Sequence, residues 1–141
     1  MSPRSISVLL GATTLLALTT AIGGCGETAS TSSFKGESHN VAQAISDLQT
    51  DVTAREQKKL CQRDLAASVT TALTQAGGGC QAALKNQLLQ IDATNLTIQS
   101  IAVSGKHATA RIKSTFAGKS RVSTMTLVKE GGGWKVATLS R

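Results

Sequence analysis

The chain has 141 residues, a formal net charge of +7 at pH 7 and only 2 % aromatic side chains. At 40 % hydrophobic residues it can bury one modest core, and these 141 residues are expected to form one small domain. Two histidines and three cysteines leave little for a metal cluster, and the lack of tyrosine excludes a phenolic proton donor.

The first seven residues carry one basic side chain, Arg4, and residues 8–22 carry no charge. Small residues Gly23 and Gly24 then precede Cys25. A basic start, a short apolar run and small residues at a cut describe an export signal. The run is shorter than the roughly 20 residues that span a bilayer as a helix. The stretch Ile22-Gly23-Gly24-Cys25 resembles the bacterial lipobox. That resemblance implies a signal peptide over 1–24, a diacylglyceryl and acyl (palmitate-type) attachment at Cys25, and a mature chain beginning there. Residues 25–37 are rich in Gly, Ser and Thr and read as a flexible tether. The expected address is the extracytoplasmic face of a cell membrane, lipid-anchored, with residues 38–141 as the globular domain.

Within that domain, Val41, Ile45, Leu48 and Val52 repeat at helical spacing, and Ser38 offers a hydroxyl cap. Thr53 and Glu56 match a capping box opening a second helix through Leu60 and Cys61. Leu65, Val69 and Leu73 continue the helical period over residues 64–75. Gly77-Gly78-Gly79 breaks the chain before a short helix carrying Leu84, Leu88 and Leu89. Cys61 and Cys80 remain once Cys25 is set aside, and an exported pair defaults to a disulfide, two buried thiols being the alternative.

The second half reads as strands. Leu96, Ile98, Ile101 and Val103 are apolar, with a slip in alternation that a bulge after Ile98 would absorb. Ala108, Ala110 and Ile112 face one way while Thr109, Arg111 and Lys113 face the other. Further strands are expected over about 121–129 and 134–139, joined by a glycine hairpin at 130–133. Helices followed by short-linked strands predict an α+β domain with an antiparallel sheet.

Charge is unevenly placed. Residues 104–141 hold eight basic side chains against the single acid Glu130, whereas residues 35–95 are balanced. Arg111, Lys113, Arg121 and Lys135 are the candidate contacts for an anionic surface, the alternative being a solvated basic face. An exported protein meets lipid headgroups and cell-wall polymers, not nucleic acid.

The sequences at 98–114 and 123–139, taken with the helices before them, resemble small actinobacterial-type lipoproteins with a nuclear-transport-factor-2-like domain, also called cystatin-like or SnoaL-like. The Val103–Ala110 and Gly131–Val136 patterns carry most of the likeness. The resemblance implies a cone of helices in a curved sheet, a fold that serves enzymes and binding proteins alike.

No catalytic constellation emerges from the residues. Asp47, Asp51, Glu56 and Asp64 read as polar helix faces and Asp92 as a loop residue, without an apolar shell to raise a carboxyl pKa. His39 is expected exposed at a helix start and His107 in a turn. No Ser stands in a nucleophile elbow, and no lysine follows the triple glycine as a phosphate loop requires. Trp134 reads as a core anchor. The expectation is a non-enzymatic accessory or binding domain of the cell envelope, without cofactor or metal. It would engage a small apolar ligand or an envelope protein. A basic sheet binding anionic lipid or wall polymer, and a small isomerase- or hydrolase-type enzyme, are the alternatives.

Overall fold

In the computed structural model, residues 29–89, 95–116 and 118–140 are described. Four helices come first: α1 (Glu37–Thr53), the single turn α2 (Gln57–Lys59), α3 (Ala67–Ala76) and α4 (Cys80–Leu88), with a π-helical turn at Leu60–Asp64 after α2. Four strands follow, β1 (Asn95–Ser104), β2 (His107–Phe116), β3 (Lys119–Glu130) and β4 (Gly133–Ser140). They form one antiparallel sheet in the order β1-β2-β3-β4. The expected α+β class, helices against an antiparallel sheet, is what the chain forms. No described helix is long and apolar enough to cross a membrane.

The strand periodicity translates directly into register. Ile98 pairs with Ile112, and Ile101 with Ala110, so the pairing slips by one residue at Gln99. That is the bulge the sequence required: it keeps Leu96, Ile98, Ile101 and Val103 on one face. Ala137 is the extra residue of a second irregularity, between Thr126↔Thr138 and Leu127↔Val136. The β3–β4 hairpin closes on Gly131 and Gly132, both at positive φ (59° and 84°), where a side chain would be strained.

The inner face of the sheet packs on α1. Val41 and Ile45 meet Ala108, Ala110, Ile112, Met125, Leu127, Trp134 and Val136 in one core. A second cluster, Leu60, Leu84 and Leu88, lies under the short helices and is joined to the first through Leu48 and Leu65. Full burial of a side chain such as Ile45 or Leu127 contributes about 1.5–3 kcal/mol. The disulfide Cys61–Cys80 is present and ties the π-helical turn to the start of α4.

Several helix boundaries differ from expectation. Gly36, not Ser38, precedes α1; its φ of 58° turns the chain into the helix without a side-chain cap. Thr53 ends α1 instead of opening α2, and its hydroxyl donates to Gln49 O (2.8 Å). The expected helix over 64–75 is broken. Leu65 is extended and bridges Val136, and Ala66 N–H donates to Val136 O (2.9 Å), so this pair extends the edge of β4. A backbone hydrogen bond to a distant strand overrides the local apolar spacing here. α3 then starts with Ala67 N–H donating to Glu130 Oε2 (3.0 Å), a cap supplied from the sheet. Leu89, expected within this short helix, follows its last residue Leu88 and is exposed.

The tether also differs over its described part. Ala29 is buried in the main core, and its N–H donates to the buried Gln49 Oε1 (2.8 Å). His39 Nδ1 lies 3.2 Å from Thr31 O, and Phe34 N–H donates to Thr31 O (3.1 Å). Residues 29–36 therefore run back along α1. Cys25, Asp92 and the expected signal segment lie outside the described residues.

Candidate functional site

A cleft of about 400 Å³ opens between α1, the end of the π-helical turn and the β3–β4 hairpin. Asn40, Gln43, Ala44 and Asp47 form one wall. Their spacing of three, one and three residues is one stripe of a helix, adjacent to the apolar stripe that meets the sheet. Gln43 Nε2 donates to Asp47 Oδ1 (2.9 Å) within this wall. Gly132, Gly133, Trp134 and Lys129 supply the opposite wall, and Arg63 and Asp64 the end.

The hairpin wall is pinned by Glu37. Its Oε1 accepts from Lys129 Nζ (2.9 Å) and its Oε2 from Trp134 Nε1 (2.8 Å). The Lys129 ammonium also sits 5.8 Å from the Trp134 ring centroid. These hydrogen bonds, Lys129's foremost, hold the Glu37 carboxyl below the usual carboxylate range. Trp134 is the buried anchor its position after the glycines suggested, and one edge of it reaches the cleft.

The end wall holds the site's main electrostatic feature. Asp51 and Asp64 come from different elements, yet each side chain is only 3 % exposed. Arg63 joins them: its Nη2 donates to Asp51 Oδ2 and its Nε to Asp64 Oδ1 (3.1 Å). Lys59 Nζ stands 3.8 Å from Asp51 Oδ1, at the solvent side. Asp64 Oδ2 is buried with no donor facing it. Burial pushes the Asp64 carboxyl up to about 6; the Arg63 hydrogen bond opposes this, and the neighbouring Asp51 carboxyl adds to it. A proton on Asp64 resolves the bare oxygen, because a carboxylic O–H can donate to the Asp51 carboxylate.

This corrects the expectation that Asp51 and Asp64 are solvated helix-face groups. Local spacing could not show it. Asp51 lies in the last turn of α1 and Asp64 ends the π-helical turn, and the two side chains become buried where these elements meet around Arg63. The nearest signal was Asp51's position between Leu48 and Val52 on the apolar side of α1. Asp47 does line the cleft, while Glu56 is exposed outside it.

The other candidates are spread out. Arg111 and Lys113 lie on the outer face of β2, with partners Thr124 and Val122 on β3. Arg121 pairs with Ser114 and so belongs to the opposite face. Lys135 donates to Gln62 O (3.1 Å). The four do not form one flat patch. His107 is the first residue of β2 and exposed, and His39 is half-buried. Among the described residues, no three of His, Cys, Asp and Glu gather where they could hold a metal ion.

Residues 80–140, spanning α4 and the whole sheet, match the family model described as putative lumazine-binding. No curated protein matches the chain. Among solved structures, a de novo designed NTF2 fold protein, NT-9, is similar at 16 % identity over 70 % of this chain and 78 % of that one, with a TM-score of 0.43.

Proposed function

We propose that this protein is a membrane-anchored, extracytoplasmic domain that binds a small molecule without transforming it. The observation that carries the reading is the cleft itself: amide and carboxylate groups on α1 face the Trp134–Lys129 wall across a space of about 400 Å³. A space at the low end of ligand-pocket volumes suits one small molecule. The match to a putative lumazine-binding family model covers the Lys129, Gly132, Gly133 and Trp134 wall. It suggests a planar nitrogen heterocycle, whose carbonyl and ring N–H groups would complement Asn40 and Gln43. The polar lining replaces the apolar ligand expected from the sequence.

A binding role suits the Asp64 carboxyl better than acid–base catalysis. Its raised pKa is the property that favours an enzyme. Yet one oxygen is engaged by Arg63 and the other is buried, so neither is open to a substrate. The anchor is supported by the layout of residues 1–25, and acyl mass on Cys25 in membrane-extracted protein is its direct readout.

The chain's single tryptophan lines the cleft, so its emission reports occupancy. Lumazine is the probe. Saturable quenching is expected, weakened at least about tenfold in Gln43→Leu, with the heterocycle recovered unchanged by mass spectrometry. Folded protein whose emission stays constant to millimolar lumazine would overturn the ligand class. Altered lumazine on recovery would overturn the non-enzymatic role.

A further inference from the structure

The docked segment 29–36 changes what an anchor at Cys25 does. Ala29 is held by the core and by Gln49, so only Gly26, Glu27 and Thr28 separate the cysteine from the folded body. Four backbone steps reach at most about 14 Å, at roughly 3.5 Å each. A body so close to its anchor keeps one end within reach of the headgroups, and charge decides whether that end is held there.

Which end follows from the neighbours of the docked segment. Ser30, Ser33 and Phe34 share a cleft with Asn95–Gln99, the first half of β1. Asn95, Leu96 and Thr97 pair with Thr115, Ser114 and Lys113 of β2. Thr115 and Ser114 pair in turn with Ser120 and Arg121 of β3, and Phe116 with Lys119. Adjacent strands lie about 4.8 Å apart, so the β2–β3 hairpin tip is about 5–10 Å from the strand end beside the docked segment. Lys113, Lys119 and Arg121 are all exposed there. Neither β1 nor β2 contains an acid, and the only acid of β3, Glu130, is at the far end.

Lys113 and Arg121 are on opposite faces of the hairpin, so the charge surrounds the tip instead of covering a flat face. We propose that the β2–β3 tip is a membrane-contact surface: Lys113, Lys119 and Arg121 meet the headgroups of an anionic bilayer and stand the domain end-on beside its anchor. This rests on the lipid anchor of the proposed function. The tip is then within about one Debye length (about 8 Å at physiological salt) of the charged surface, where each basic residue strengthens attachment about fivefold. The Lys129–Trp134 end of the cleft, next to the opposite hairpins, is left facing away from the bilayer.

The test uses the acylated protein in vesicles. With Cys25 acylated and Cys61–Cys80 bridged, an introduced cysteine is the one reactive thiol. A fluorophore on Ser120→Cys is compared with one on Ser104→Cys, at the other end of the sheet, using vesicles that contain a headgroup-nitroxide lipid. In vesicles with 30 % phosphatidylglycerol, the probe at 120 is expected to be quenched at least about threefold more than that at 104. Replacing Lys113, Lys119 and Arg121 by Gln should remove the difference, as should phosphatidylcholine alone. Equal quenching at both positions, or a difference that survives the Gln substitutions, overturns the proposal. The mass of each preparation is read first. Absence of acyl mass on Cys25 sinks the anchor and this orientation together, whereas acylated protein with equal quenching sinks the orientation alone.

Discussion

Asp64 carries the residue-scale consequence with the clearest sign. Its carboxyl is raised from 3.8 to about 6, so between those values the folded chain keeps a proton that the unfolded chain has lost. The associated stability is present below pH 3.8 and is lost as pH rises to about 6, then stays level. Glu37 acts in the opposite sense, since its lowered pKa costs stability as the medium becomes acidic through the folded value. Asp64→Asn retains an acceptor for Arg63 and puts a neutral N–H donor toward Asp51. We expect it to raise the melting temperature at pH 7 and to remove the decline between pH 4 and pH 6, measured by calorimetry across pH. Parallel wild-type and Asn profiles would refute a shared proton in this pair.

At the scale of elements, the strands and the helices differ in how their sequences specify them. A strand's period of two is reinforced by its neighbours, so the slip after Ile98 and the triple glycine at 131–133 located a bulge and a hairpin correctly. The helix period of about 3.6 is shared by any segment that must bury an apolar residue every third or fourth position. Leu65, Val69 and Leu73 met that pattern across a real break, because the hydrogen bond from Ala66 to Val136 is invisible to local spacing. The short helical pieces between α1 and β1 have a small core of their own, Leu60, Leu84 and Leu88, and depend on the Cys61–Cys80 bridge. Replacing both cysteines by serine should destabilise the protein by about 2–4 kcal/mol, read from its urea unfolding midpoint. An unchanged midpoint would mean that these helices are held by packing alone.

For the whole molecule, the segment before α1 contributes to stability and, under the proposed anchor, to placement. Low hydrophobicity made residues 25–37 look like free tether, and one alanine proved enough to bind part of it, because Gln49 supplies a buried acceptor for its N–H. Deleting residues 29–36 should cost about 1–2 kcal/mol from the lost hydrogen bond and burial, again measured in urea. A tether that does not pack would leave stability unchanged. If the chain is anchored at Cys25 as proposed, the same docking would bring Lys113, Lys119 and Arg121, at the β2–β3 end of the sheet, beside the membrane.

By itself the sequence determined the α+β order, the four strands with their bulge and hairpin, the helical face of α1 and the pairing of Cys61 with Cys80. Each of these follows from a period, a turn residue or a residue count that acts over short range. Tertiary structure alone decided the burial of Asp51 and Asp64, the break at Leu65, the cleft and the docking of Ala29. All four arise where segments far apart in the chain exchange a backbone hydrogen bond or exclude water from a shared space, and no local pattern encodes which distant partner will be met.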